Sequence, residues 1–338
     1  MHFSIIIPTR DLSQYLINEC LPAINKLNYK DFEVIVLPTP PEWSGRYSKL
    51  EKKYSWLRII STKNITRPAE KRDIGAKHAK GEILAFIDDD AYPDKNWLTN
   101  ANKFFNTEKK IAVVCGPGIL PKNTNVWEKI FNEILKSWIG SGGYAYRFTP
   151  LNSRYIDDYP SMNFLVKKEI FLHLGGFNSN FWPGEDSKLC EDIVYKKHGL
   201  ILYQPNILVY HHRRNNLKAF LKQHANYGFH RGAFFAHGDS NSQRFSYLIP
   251  TFFVFYLLFI IFYSLIFQLN YYQLTINLLP LIIYVIFSLH LFLRSLLNTK
   301  NLFISFSSPL VLFLTHLTYG IMFIKGFITG IIKKEKIY

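Results

Sequence analysis

Residues 81–97 read GEILAFIDDDAYPDKNW. Ile83 to Ile87 is an unbroken apolar run, the signature of a strand buried on both faces. Gly81 stops the helical segment Glu70–Ala79 ahead of it. Asp88, Asp89 and Asp90 follow the run directly. In sheets of parallel strands, ligands gather beyond the carboxyl ends. Three carboxylates there repel one another unless a cation or hydrogen-bond donors offset the charge. A hard divalent ion held by one or two of them, with phosphate oxygens and water completing its shell, is the natural solution. A solvated acidic turn is the plainer one.

Strand-like runs recur on both sides. Phe3–Ile7 is ended by Pro8 and Phe32–Leu37 by Pro38, with shorter runs at Leu57–Ile60 and Ile111–Val114. Residues 11–28 carry apolar positions at helical spacing. Strands separated by helices predict an α/β chain with a doubly wound, mostly parallel sheet. A second acidic pair, Glu185–Asp186, follows the turn signals Gly175-Gly176 and Pro183-Gly184. That places it near a helix N-terminus, where carboxylates are electrostatically favoured. The pair reads as a helix cap or as the proton acceptor of a site whose other acids hold metal.

The chain of 338 residues has a formal charge of +15. Abundant Phe, Tyr and Trp exclude a disordered chain. Cys20, Cys115 and Cys190, odd in number and far apart, exclude a disulfide scaffold and suit a reducing compartment. The charge is unevenly spread. No Asp or Glu lies between Asp239 and Glu335, and from Pro250 to Asn298 the sole formal charge is Arg294. Tyr247–Leu269 and Leu274–Leu293 are each long enough to span a bilayer. The run Leu302–Ile332 is too long for one simple span and is interrupted at Ser307-Ser308-Pro309. It reads as an interfacial piece followed by a span from about Pro309, or as a re-entrant segment. Arg231, Arg244, Arg294, Lys300 and the tail Lys333-Lys334-Glu335-Lys336 all favour the cytoplasmic side. Three full spans would put that tail on the other side. The short apolar start MHFSIIIPT is no signal peptide. Domains are expected at 1–235, with an interfacial helix near 216–235, and at 246–332 in the membrane, followed by a basic tail at 333–338.

The start SIIIPTRD, the segment RPAEKRDIGAKHAKGEILAFIDDDAYPDKNWL and the pair GED together resemble inverting glycosyltransferases of family 2. The likeness is closest to membrane-bound bacterial enzymes of exopolysaccharide synthesis, of the succinoglycan glucosyltransferase type. It covers roughly residues 3–232 and includes HHRRNNLKAFLKQHANYGFHRG. It implies a GT-A fold, the nucleotide-diphospho-sugar transferase fold, followed by C-terminal transmembrane helices. Asp88 and Asp90 would be the aspartates of a DxD motif, binding Mg2+ or Mn2+ and through it the donor diphosphate. Asp186 would be the catalytic base and Glu185 its neighbour. Pro8, Thr9, Arg10, Arg72, Asp73 and Asp89 would line the nucleotide sugar. Thr39 stands where many members carry an acid that holds the base, and Glu42 would substitute for it. QHANYG replaces the QxxRW of processive synthases, which favours single-sugar transfer.

The expected activity is transfer of one sugar from a nucleotide diphosphate sugar to a lipid-linked glycan in polysaccharide or cell-envelope glycan synthesis. The catalytic domain would face the cytoplasm from the cell membrane. His212, Arg213, Gln223, Tyr227 and Arg231 are the candidates for contacts to diphosphate or acceptor. His211 and Arg214 belong to the same basic run, which also reads as a surface or membrane anchor. The adjacent histidines lack the spacing of a helical zinc pair. Leu217, Phe220, Leu221, His224, Tyr227 and Gly228 share a helical face, interfacial or core-packing. Trp127, Ile130, Phe131, Ile134 and Trp138 form a stripe that reads as core, and the glycine-rich 140–148 as an acceptor loop. A polyprenyl-phosphate sugar synthase and a non-catalytic nucleotide-sugar or glycan-binding protein are the competing readings. Membrane lipids are expected partners; nucleic acid is not, since no motif for it is present.

Overall fold

The apolar runs become strands of one sheet. The structure, a computed structural model, describes residues 1–40, 45–177, 184–266 and 271–332. They pack as two units, Met1–Pro121 with Tyr146–His212, and Lys122–Ala145 with the chain from Arg213 onward.

The first unit opens with β1 (Phe3–Pro8), buried at every position. A π-helical turn, Leu16–Cys20, runs into α1 (Leu21–Asn25). The helical backbone starts at Gln14, later than the apolar spacing predicts, where the Ser13 side chain caps it. Asp11 accepts from Leu12 N (2.7 Å) and Ser13 Oγ from Leu16 N (3.1 Å). Next come β2 (Phe32–Leu37), α2 (Gly45–Lys53), β3 (Leu57–Ile59), α3 (Pro68–His78) and β4 (Ile83–Ile87). They are followed by β5 (Ala91–Pro93), α4 (Trp97–Phe105), β6 (Ile111–Cys115) and β7 (Gly118–Ile119). The second unit takes α5 (Val126–Lys136) and α6 (Trp138–Ser141). The first resumes with β8 (Arg154–Ile156), β9 (Asn163–Lys167), α7 (Lys168–His173), α8 (Glu185–Glu191), β10 (Leu200–Tyr203) and β11 (Val209–His211).

The large sheet runs β3-β2-β1-β4-β9-β6-β10-β8. Its first four strands are parallel, and β10 is parallel to β6. β9 lies antiparallel between β4 and β6 within a sheet that is mostly parallel, as expected from the apolar runs. α3 lies tight on it at Gly75, where a Cβ would stand 2.6 Å from Ile6 Cγ2. A small second sheet, β5-β11-β7, forms beyond the end of β4. Asn163 is fully buried as a hub between loops. It accepts from Trp97 Nε1 (2.8 Å) and donates to Gly116 O (2.6 Å) and Ile207 O (2.8 Å). Such saturation is what keeps a buried amide affordable.

In the second unit α5 starts at a capping box, Asn125 with Glu128. Ile130, Phe131 and Ile134 are buried as their spacing predicts, but Trp138 is 64% exposed. Ser137 is extended (φ −84°, ψ 149°) and restarts the helix out of phase, which turns Trp138 outward. Then follow α9 (Leu217–His237), α10 (Phe245–Ile266), α11 (Tyr271–Thr299) and α12 (Leu302–Ile332). Among the described residues, three helices are long and apolar enough to cross a membrane: α10, α11 from Thr275, and α12. Leu302–Ile332 is one continuous helix that absorbs Pro309, where the sequence suggests a break. Ser305 and Ser308 donate back to Asn301 O and Ile304 O in the turn that the proline disturbs. α9 packs on α12 through glycines. A Cβ at Gly228 or Gly232 would collide with the backbone of Tyr319 or Phe323, and one at Gly326 with Phe229. This core-packing face joins α9 to the second unit, so the compact units divide at 212–213 and set 122–145 apart from the expected 1–235.

Candidate functional site

β4 holds the acidic run at the carboxyl end of the sheet, and pairing across the chain adds a fourth group. β11 pairs antiparallel with β5, setting His211 opposite Ala91, and His212 N donates to Asp90 O (3.0 Å). His211 Nε2 thereby comes within 3.1 Å of Asp90 Oδ1 and 4.0 Å of Asp88 Oδ2. One ligand atom from each of Asp88, Asp90 and His211 lies within 4.8 Å of the others. Two carboxylate oxygens and an imidazole nitrogen, all half-buried, fit a divalent cation. Asp89 faces elsewhere. Its Oδ2 accepts from Thr9 Oγ1 (2.6 Å) and ties the first loop to the run. Burial, then repulsion from Asp90 and Asp88, pushes Asp89 up to about 6.

Arg72 joins the two acidic motifs. It is 3% exposed, and its Nη2 donates to Asp88 Oδ1 at 2.6 Å. Nη1 lies 3.8 Å from Glu185 Oε1, and the guanidinium sits over the Phe177 ring at 5.6 Å. Asp73 fastens that ring's turn by accepting from Phe177 N (2.9 Å), and burial pushes its carboxyl up to about 6. At Gly176 (φ +84°) a Cβ would strike the Asp73 carboxylate.

Asp186 stands beside Glu185 at the start of α8. Its Oδ2 accepts from Ser161 N (3.2 Å), and its Oδ1 is buried with no hydrogen-bond partner among the described residues. Burial, then the Glu185 charge, pushes Asp186 up to about 7, against the pull of Arg72 and Ser161. The first turn of α8 is braced from below. Ser187 Oγ donates to Asp158 Oδ1 (2.8 Å), and Arg147 Nη2 lies 3.1 Å from Asp158 Oδ2.

The remaining candidates spread out. Pro8 is buried at the end of β1, and Arg10 is exposed. Glu42 lies outside the described residues. His212 is buried, its Nε2 3.1 Å from Glu19 Oε2 and its ring 4.2 Å from Tyr15. In the second unit, Arg213 donates from its backbone N to Glu128 Oε1 (3.2 Å) and from Nη2 to Asn132 Oδ1 (3.3 Å). Gln223 donates to Tyr227 (2.9 Å), and Arg231 donates to Ser242 Oγ (2.9 Å) and lies over Tyr247. The sequence reading missed His211 as a ligand and Lys71 altogether. Lys71 is 2% exposed; its Nζ meets Thr9 O and, at 2.7 Å, Thr39 Oγ1. Burial pushes its ammonium down to about 8. The available signal was Thr39 itself, a neutral acceptor where an acid was expected.

A model of the family described as Glycosyl transferase family 2 matches residues 4–175. A relative in Methanococcus voltae, dolichyl N-acetyl-alpha-D-glucosaminyl phosphate 3-beta-D-2,3-diacetamido-2,3-dideoxy-beta-D-glucuronosyltransferase, is 26% identical over 341 residues, 97% of each chain. The pre-mycofactocin glycosyltransferase of Mycobacterium tuberculosis is 26% identical over 172 residues, 51% of this chain and 36% of that protein. Among solved structures, a mannosyltransferase from Pyrobaculum calidifontis in complex with GDP-Man and Mn2+ aligns with TM-score 0.56 at 16% identity. The alignment covers 99% of this chain and 88% of that one, a likeness of fold.

Proposed function

The chain belongs to glycosyl transferase family 2 and is a membrane glycosyltransferase, and we propose that it moves one sugar from a nucleotide diphosphate sugar to a hydroxyl of a lipid-linked glycan. The observation that carries this reading is Arg72, which holds the acidic end of β4 and the acidic start of α8 together. Asp88, Asp90 and His211 are the residues that would hold the cation. When bound, the cation supplies Lewis-acid neutralisation of charge on the departing diphosphate. The nitrogen ligand favours Mn2+ over Mg2+.

Asp186 takes the proton of the acceptor hydroxyl. The acceptor oxygen then bonds to the anomeric carbon as the bond from that carbon to the diphosphate oxygen breaks, and configuration inverts. The Oδ1 of Asp186, buried with no hydrogen-bond partner among the described residues, is the lone pair on offer, and the raised affinity of a buried carboxylate for protons strengthens it as a base. Thr9, held by Asp89 and Lys71, shapes the nucleotide side. The relative in Methanococcus voltae, named for a dolichyl phosphate-linked sugar, supports a lipid-linked acceptor. The basic residues flanking the apolar helices support a site on the cytoplasmic face of the cell membrane.

The test is a panel of nucleotide sugars with membrane lipid extract, with Mn2+ or Mg2+, for the wild type and Asp186→Asn. Lipid-dependent donor consumption is expected in the wild type and about 10²–10⁴-fold less in the variant. Equal turnover by both would remove Asp186 as the base, and no consumption of any donor would overturn the acceptor class.

A further inference from the structure

The direction of α12 relative to α9 decides how the chain sits in a bilayer. The two helices run parallel, side by side. Phe220 shares a buried cluster with Val311 and Leu312. Further along, Gly228 abuts Tyr319, Gly232 abuts Phe323, and Gly330 abuts Ala236, where an added Cβ would lie 2.8 Å from the Ala236 Cβ. The direct contacts advance in the same sense along both chains from Gly228 to Ala236, about 12 Å at 1.5 Å per residue, and the shared cluster lies on the same course further back.

Consecutive crossings of a membrane alternate in direction. If α9, α10, α11 and α12 all crossed, α12 would run opposite to α9. It runs with α9, and only Lys300 and Asn301 separate α11 from α12. Nor can α12 cross while α9 stays at the surface, because the glycine contacts from Gly228 to Ala236 and the buried cluster at Phe220 hold the two helices side by side. α9 is itself unfit to cross. It carries Lys218, Lys222 and Arg231, and each charge at mid-bilayer costs at least about 2.5 kcal/mol.

We propose that α10 and α11 cross as a hairpin, while α12 lies in the plane of the membrane beside α9, its outer face in the acyl-chain boundary of one leaflet. Burial separates the helices in the same way: 39% of the apolar stretch of α12 is buried inside the protein, against 11% for α10 and 6% for α11. The exposed face of α12 is a single apolar stripe. Phe303, Phe306, Leu310, Leu314, Ile321 and Ile328 are 40–68% exposed and follow one side of the helix along its length. Thr318, Lys325 and Thr329 border that stripe, where the lysine head reaches the headgroups. The occupant of the stripe is lipid, because the stripe adjoins a hairpin whose own surface is apolar and exposed. The basic sequence after Ile332 then needs no transfer across the bilayer, which removes its conflict with the charges flanking α10 and α11.

The inference rests on the reading that α10 and α11 cross a membrane, and one experiment separates the two. The full chain carries peptide tags before Met1 and after Tyr338 and a thiol reporter at Tyr272→Cys, a position 77% exposed at the start of α11. It is probed in intact cells and in inside-out vesicles with protease and an impermeant thiol reagent. The expected result is both tags on one face and position 272 on the other. Tags on opposite faces would overturn the in-plane helix and leave the membrane reading standing. Position 272 on the face of the first tag would overturn the hairpin and, with it, the inference. Spin labels at Leu310→Cys and Ile321→Cys give a second readout. They are eleven residues apart on one face, so an in-plane helix puts them at equal depth, whereas a crossing helix separates them by about 16 Å.

Discussion

At the scale of single residues the site turns on Arg72. Its guanidinium is a rigid fork that answers Asp88 and Glu185 at once, and a lysine cannot do the same from one nitrogen. Arg72→Met leaves both carboxylates without that partner, and the loss of stability is expected to be on the order of 3 kcal/mol. Arg72→Lys should fold but lose most transfer activity; the two are read by thermal unfolding and donor turnover. As the proposed base, Asp186 is expected to set the pH behaviour. Its raised proton affinity means that activity should climb as pH rises toward and through about 7, the base being usable only when ionised. Stability moves the other way. The folded state holds a proton that the unfolded chain releases near pH 4, so stability falls between those values. Asp186→Asn should therefore melt higher than wild type at pH 8, with the gap closing toward pH 4. The aspartates were legible in the sequence because three acids crowded at a strand end repel one another unless a cation or donors hold them. Arg72 was legible through the segment it shares with them. Lys71 was not, since a lysine in a helix ordinarily reads as solvent-facing, and its burial depends on Thr9 and Thr39 lying opposite.

At the scale of elements, β5 and β11 do the assembling. Neither is longer than three residues, and 115 residues separate them. Strands that short carry no pattern to read, which is why His211 was seen as part of a basic run and not beside Asp90. His211→Ala is expected to raise the Mn2+ concentration for half-maximal activity more than about 100-fold, beyond the loss of a group that merely orients a ligand. A metal titration of turnover checks it, and an unchanged midpoint would return His211 to a structural role. β1, β2 and β4 were plain because each is an apolar run stopped by a proline or an acid. The pairing of α9 with α12 was hidden, because glycines within helices give no sign of what approaches them. Gly232→Val would drive a branched side chain into the backbone of Phe323, which cannot rotate away. A loss of about 1–3 kcal/mol is expected, measured as a lower melting temperature in detergent with donor binding kept.

At the scale of the whole molecule the chain visits its two units in the order first, second, first, second. Composition showed the apolar tail but not this return, because α5 is an ordinary amphipathic helix whose partners lie far along the sequence. Phe131 stacks on Phe220 at 3.9 Å, and Asn298 Nδ2 donates to Glu133 Oε2 at 2.9 Å. Removing α12 by ending the chain at Thr299 should leave the α10–α11 hairpin in the membrane but expose 122–145 to protease, which limited proteolysis would show. The same interleaving imposes a timetable on biosynthesis. Phe131 leaves the ribosome 180 residues ahead of Val311, about 10–40 s at ordinary elongation rates. Until then the inner face of α5 has no finished partner, while everything needed for the large sheet has emerged by Tyr203. The sugar-transfer unit can therefore close first, with α5 extruded from it as a loose loop. α12 completes the bed on which that loop settles, so the nascent protein is most exposed to aggregation and degradation just before α12 appears.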